Sequence, residues 1–283
     1  MISLYSNITS YPNETAVRIG FFLLIFIAVA LAEIGAPRRR LSVRKAGRWR
    51  INLAMTLIDA VLVRLLFPIL PVGLALLSAS RGWGALNQLA LPLLPMVLFG
   101  ILILDLVIYL QHVLFHVHPL FWRFHGIHHT DLDIDVTSGL RFHPIEIILS
   151  MLIKLAVVAA LGLPALAVLV FDVLLNGTSM FSHGNIRLHE SFDGLLRLIV
   201  VTPDMHRVHH SVIIRETNSN FGFNFPWWDR FFGTYQAQPA AGGHEAMTIG
   251  NAQFRDSQVL TLRKLLVLPF RRGGMPGQVR KKE

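Results

Sequence analysis

Thirteen histidines stand in a chain of 283 residues, and twelve of them fall between His112 and His210. Two stretches carry the same His-x-x-His-His pattern, "FHGIHHTD" at 124–131 and "MHRVHHS" at 205–211. The first supplies His125, His128 and His129; the second supplies His206, His209 and His210. A further pair in "HVLFH", His112 and His116, is spaced i, i+4 and shares one helix face. His143 in "RFHP" and His183 in "SHGN" lie between the repeats.

Neutral imidazole is the commonest protein metal ligand. Eight histidines in three groups exceed the four ligands of a tetrahedral zinc, and they suit two ions of higher coordination number. Buried without partners, eight imidazoles would each cost roughly 1–3 kcal/mol, and shared ions remove that cost. His118 in "HVHP" reads as a cap or interface residue, and His189 in "RLHE" lies off the repeated spacing. His244 in "AAGGHEA" reads as surface. Asp105, Asp131, Asp133 and Asp135 are candidates to accept the outer N–H of a metal-bound imidazole. For at least two of the 131–135 trio a solvated loop is the favoured alternative.

These groups need a scaffold, and the composition says what kind. The chain is 53% hydrophobic and 15% charged, where a soluble domain carries about 25% charged residues; its mean hydropathy is +0.53. Apolar runs at 17–36, 52–79 and 86–111 approach or exceed the ~18 residues of a membrane span. The first is too long, and lacks the Ala-x-Ala-like exit, for a cleaved signal peptide, so it reads as a retained anchor. Asp59 and Arg64 in the second span are expected to pair with each other or with neighbours inside a bundle, with a role along a substrate path as the alternative.

The net charge of +9 is gathered beside the spans, in "RRRLSVRKAGRWR" at 38–50 and "RRGGMPGQVRKKE" at the end. That distribution marks a cytoplasmic flank facing anionic lipid and argues against nucleic acid as a partner. The sequons at Asn7 and Asn13 carry no weight, and the closing "RKKE" only faintly resembles a retrieval signal for the endoplasmic reticulum. With no cysteine, thiolate zinc and iron–sulfur sites are excluded, and ligands must be nitrogen or oxygen.

The stretch 145–175 is too long for one crossing and too short for two, at about 46 Å as a single helix. "LGLP" at 161–164 offers a break, so a shallow hairpin entering and leaving on one side is expected. Parity agrees: the two His-x-x-His-His copies can share ions only if the chain between them crosses an even number of times. The expected architecture is an all-α, polytopic membrane bundle of about four to five spans or hairpins with a cytoplasmic, histidine-rich helical cap. It divides into spans at 1–111, a histidine-box core at 112–235 and a basic tail at 236–283.

The pattern resembles the fatty acid hydroxylase/sterol desaturase superfamily of membrane non-haem diiron oxidases. Asp105, Tyr109, His112 and His116 are similar to its first box. "WRFHGIHHTD" with "RFHP" is similar to its middle block, and "HGNIRL" with "VTPDMHRVHHS" to its third. "NSNFGFNFPWWDRFFGTY" at 218–235 resembles its closing signature. Leu110, Val113, His118 and His189 depart from the usual pattern. The resemblance implies metal ligands at His112, His116, His125, His128, His129, His183, His206, His209 and His210, with His143 as a tenth. It implies two irons, O2 as co-substrate, a membrane lipid substrate such as a fatty acyl chain or sterol, and hydroxylation or desaturation of a C–H bond. No nucleotide fingerprint or cysteine cluster is present, so the electrons are expected from a separate reductase or carrier. The preferred site is a bacterial inner membrane, with the endoplasmic reticulum as the alternative. The rivals are a histidine-rich metal transporter and a b-type haem protein, although haem takes two axial histidines and leaves adjacent His-His pairs unexplained. A zinc hydrolase would call for His-Glu-x-x-His, which is lacking.

Overall fold

The computed structural model of the chain describes residues 14–240, 242–257 and 260–271. The sequons at Asn7 and Asn13 and the closing "RKKE" lie outside the described residues. Among those residues five segments are long and apolar enough to cross a membrane: Glu14–Gly35, Lys45–Gln88, Leu93–Val117, Pro144–Leu161 and Ala165–Ser182. No strand occurs among them, only isolated bridges at Pro37–Ile186 and Ser211–Ile249.

Prolines and left-handed glycines set the helix ends. α1 is Glu14–Gly35. The second apolar segment is two helices, α2 (Lys45–Leu66) and α3 (Pro71–Arg81), rather than the single crossing predicted at 52–79. Pro68 and Pro71 lack the backbone donors a continuous helix needs there. α3 closes on Gly82 with φ 66°, a conformation that favours glycine. α4 is Leu93–Val117 and follows Pro92, and α5 is Pro119–His125. Next come α6 (Pro144–Leu161) and α7 (Ala165–Ser182), separated by Gly162 and Pro164.

This hairpin is deeper than the shallow one predicted at 145–175. Each arm has 18 residues, about 27 Å, close to the ~30 Å hydrocarbon core. The difference arises because α7 turns polar Asp172 and Ser179 inward, where both are buried. That lowers the local hydropathy without interrupting the helix.

The remaining helices are short: α8 (Glu190–Leu196), α9 (Pro203–His209), α10 (Ile214–Thr217), α11 (Trp227–Phe231), α12 (Gly243–Ala246) and α13 (Leu262–Val267). α7 is the hub of the bundle, touching α1, α3 and α4, while α6 packs on α2, α3 and α4. Val72, Ala75, Leu104, Ile108, Val158, Leu163, Val168 and Phe171 form the core between them. A Cβ on Gly100 would sit 2.8 Å from Ala167 Cβ, so this glycine lets α4 and α7 approach.

The segment predicted as a basic tail is instead packed over 260–268. Leu260 and Leu265 are buried against Met55, Trp122, Ile127 and Leu132, each burial contributing roughly 1.5–3 kcal/mol. The basic run at 38–50 also turns inward more than predicted. Arg38 pairs with Asp204, Lys45 with Glu33, and Arg48 is buried.

Candidate metal centre

The two His-x-x-His-His copies meet. One set gathers His112 and His116 from α4, His125 from the end of α5, His129 from the turn after it and His209 from α9. The other gathers His128, His183 at the C-terminal end of α7, His206, and His210 at the end of α9. Within each set the ligating nitrogens lie within 4.8 Å of one another, and no ring is more than 2% exposed. The sets adjoin: the His129 and His210 rings stack at 4.6 Å, and His128 and His129 meet at 5.3 Å.

Backbone carbonyls decide which way the rings face. His112 Nδ1 donates to Phe221 O at 2.7 Å, His183 Nδ1 to Ser179 O at 2.7 Å and His209 Nδ1 to Ser219 O at 2.7 Å. His128 Nδ1 donates to Arg141 O at 3.2 Å. A carbonyl can only accept, so each of these rings is protonated at Nδ1 and presents a lone pair at Nε2. His183 Nε2 and His128 Nε2 nevertheless stand 3.1 Å apart, and His206 and His210 Nε2 are also 3.1 Å from His183 Nε2. In the other set His112 Nε2 and His125 Nε2 are 3.1 Å apart. Facing lone pairs repel unless a cation sits between them. Among the described residues both nitrogens of His129 and Nε2 of His209 are buried without a hydrogen-bonding partner. The donor set therefore fits metal ions: neutral, inward-facing, dry nitrogens at the spacing of neighbouring ligands.

Burial, reinforced by neighbouring imidazoles, holds His128, His129, His206, His209 and His210 well below the ordinary histidine value. Burial also lowers His125 to about 3 and His183 to about 4. All are neutral at physiological pH, the form a metal ion requires of an imidazole.

His143 is not part of either set. Its Nδ1 caps α6, accepting from Ile145 N at 3.2 Å, and its Nε2 donates to Leu266 O at 3.2 Å. The ring is thus used at both ends by the helix start and the C-terminal strap. His118 and His189 are exposed and lie outside both sets. His244 is buried rather than surface, its Nε2 3.0 Å from Gln238 Oε1 and 3.6 Å from Asp204.

The acidic trio departs from the solvated loop predicted for it. Asp131, Asp133 and Asp135 are all buried. Arg48 donates to Asp131 at 2.6 and 2.8 Å and to Asp135 at 2.6 Å, while Asp133 accepts from Ser42 N and Val43 N. Burial pushes the Asp131 carboxyl up, but the Arg48 guanidinium outweighs it and holds the group well below the usual range. None of the three accepts from an imidazole. They fasten α2 to the loop that ends at Arg141, whose carbonyl orients His128. Asp105 likewise accepts from Trp228 Nε1 at 2.8 Å, not from a histidine.

Other orienting groups escape the sequence. Glu146 Oε1 lies 2.7 Å from His125 Nδ1; its signal is a carboxylate in the first turn of an apolar helix, expensive to bury without a task. Gly139 is required by contact, since a Cβ there would stand 2.6 Å from Ser179 O and 3.1 Å from His183 Nδ1.

The fatty acid hydroxylase family model matches residues 97–234, a range that contains every histidine of both sets. An ornithine lipid hydroxylase, OlsE, of Rhizobium tropici is 32% identical over 148 residues, covering 52% of this chain and 44% of the relative. An alkylglycerol monooxygenase of Caenorhabditis elegans is 28% identical over 141 residues, covering 50% of this chain and 27% of the relative. The chain thus spans less than half the length of either relative. No solved structure matches it. Over residues 97–234 the chain is thus similar to the fatty acid hydroxylase family, and this match, both relatives, the histidine blocks and the helical architecture together support the resemblance to the fatty acid hydroxylase/sterol desaturase superfamily.

Proposed function

We propose that the protein is a membrane-bound, O2-dependent oxidase that uses two non-haem irons to hydroxylate a C–H bond of a membrane lipid. The observation that carries this reading is the facing of the His128 and His183 lone pairs at 3.1 Å inside a cap continuous with apolar helices. The proposed ligands are His112, His116, His125, His129 and His209 for one iron, and His128, His183, His206 and His210 for the other. When bound there, iron would supply the activation of O2 that an unactivated C–H bond demands.

The chain's own residues do the rest. The carbonyls of Phe221, Arg141, Ser179 and Ser219, and the carboxyl of Glu146, fix ring orientation. Phe223 touches the His112 ring at 4.9 Å and also packs against the apolar core between α3, α4, α6 and α7. A lipid chain approaching from the bundle would meet the histidines at that ring. Complete burial of the cluster excludes water from the reacting position.

The names of the two relatives support a lipid substrate and favour hydroxylation over desaturation. Reducing equivalents come from a separate electron carrier. The proposed setting is a bacterial inner membrane with the metal site on the cytoplasmic side, the division being spans to 111, an oxidase core at 112–235 and a strap from 236.

The test is metal analysis of protein in nanodiscs, joined to lipid mass spectrometry of cells with and without it. Expected are two irons per chain and an O2-dependent gain of one oxygen in a lipid, lost in His128→Ala. A strong Soret band, or metal uptake into proteoliposomes with no oxidised product, would overturn the reading in favour of a haem protein or a transporter.

A further inference from the structure

Two short elements of the cap are built inside out. In "ESFDGLLRLI" (190–199) two of the three charged residues turn inward, buried Asp193 pairing with buried Arg197, and Glu190 at its start stays exposed. Phe192, Leu195, Leu198 and Ile199 point out, 52–65% exposed. In α11 and the Phe232 that caps it, Asp229 is fully buried and accepts from Phe221 N and Gly222 N, both at 2.8 Å, while Trp227, Phe231 and Phe232 are exposed beside Arg230, which lies over the Tyr235 ring. A water-facing helix has the opposite pattern. Single exposed apolar residues are ordinary, but a contiguous patch of them marks a contact surface.

The two elements form one patch. Trp227 Nε1 donates to Leu198 O at 2.7 Å, and Arg230 Nη2 donates to Arg197 O at 3.2 Å. The patch also continues the flank of a span. Phe232 stacks on Tyr109 of α4 at 5.4 Å, and Trp228 Nε1 reaches Asp105 on the same helix. Beyond Tyr109, α4 still exposes Leu110, Leu114 and Val117, so its surface stays apolar for about 12 Å past that level. The two elements therefore adjoin α4 at a level where that helix's exposed flank is still apolar. Trp227, an amphipathic ring among these residues, is of the type enriched where a membrane meets water.

We propose that residues 192–199 and α11 form an interfacial collar that inserts into the leaflet on the histidine side, its apolar face occupied by lipid at the headgroup–acyl boundary. The collar is coupled to the metal centre through adjoining rings: Phe232 to Tyr109 at 5.4 Å, Tyr109 to Phe221 at 6.3 Å and Phe221 to His112 at 5.5 Å. A lipid held at the collar thus lies beside the histidine cap while still in the bilayer. The inference rests on the membrane architecture, not on the metal chemistry.

The cysteine-free chain suits single-site spin labelling. Nitroxides are placed through Leu195→Cys, Ile199→Cys and Phe231→Cys, each in its own full-length protein in phosphatidylcholine/phosphatidylglycerol proteoliposomes. References are Leu24→Cys on the outer face of α1 and Gln253→Cys in an exposed cap loop. Power saturation then compares collisions with O2, enriched in lipid, and with a water-soluble nickel chelate. The expected result is that all three collar labels favour O2 as the Leu24 label does, while the Gln253 label favours the chelate. Collar labels that follow the Gln253 pattern would overturn the proposal. So would collar labels shielded from both reagents and broadened by dipolar coupling, the mark of a second copy. Three independent sites keep the test intact if one variant fails to fold.

Discussion

Glu146→Leu removes the carboxyl group that stands against His125 Nδ1 at 2.7 Å while keeping an apolar side chain of similar bulk at the start of α6. Loss of such an outer partner typically weakens metal binding 10- to 100-fold, about 1.4–2.8 kcal/mol. The metal-free fold should respond differently. Glu146 Oε2 is buried without a hydrogen-bonding partner among the described residues, so removing it relieves a penalty of about 1–3 kcal/mol. The hydrogen bond lost by His125 Nδ1 is of the same order, and the two effects offset. At roughly 2–4 °C per kcal/mol for a chain of this size, the gap between loaded and metal-stripped Tm should shrink by about 3–11 °C, with the stripped Tm nearly unchanged. Thermal melts in nanodiscs with and without iron, alongside chelator competition, measure both quantities. Glu146→Gln, which keeps an oxygen for the Nδ1 proton, should recover most of the affinity. If the stripped Tm falls as far as the loaded one while the affinity holds, Glu146 supports the fold and not the ion site.

Three further outcomes are expected. His183→Ala removes a nitrogen 3.1 Å from three others and should lower the metal content by one ion per chain, whereas His143→Gln should leave it intact, as elemental analysis would report. Arg48→Ala strands Asp131 and Asp135 without their buried cation and should destabilise by about 3–5 kcal/mol. Neutralising both acids in the same chain should recover much of that in a thermal melt. In metal-stripped protein, stability should fall as pH drops from about 6.5 toward about 4, because buried His183 takes up its proton only near 4 while the unfolded imidazole does so near 6.5. Asp131, whose carboxyl is held low by Arg48, adds its loss only at more acid pH, below its unfolded value of 3.8. A melt series across pH that is flat between 6 and 4 would refute the neutral, buried cluster.

The grouping of the box histidines was legible because it is written locally, whereas His183 entered only through the resemblance. Spacing put His112 with His116 and repeated His125–His129 at His206–His210, and parity required both copies on one face. What stayed hidden depends on partners distant in sequence. The acids of 131–135 look solvated until Arg48, 83 residues from Asp131, arrives from α2. The basic run at 38–50 looks like a lipid-facing flank until Asp204 and Glu33 neutralise parts of it. Hydropathy alone ran through Pro68 and Pro71, where the chain breaks into two helices. The far end of the hairpin was missed because inward-facing Asp172 and Ser179 mask an otherwise apolar helix. His143 was assigned by resemblance, but its nitrogens are engaged by Ile145 N and Leu266 O.

The hairpin of α6 and α7 lies, in chain order, between the two halves of the centre. His112, His116, His125 and His129 are synthesised before it, but the second set then holds only His128. His183, His206, His209 and His210 follow only after the chain has gone into the bundle and come back. Neither set is complete until the chain beyond the hairpin supplies His209 to the first and His206 and His210 to the second. Assembly of the cluster is thus a readout of biogenesis: a chain arrested before its hairpin inserts carries an open cluster, and under the proposed metal reading tight ion capture would distinguish a completely inserted protein from one that has stalled.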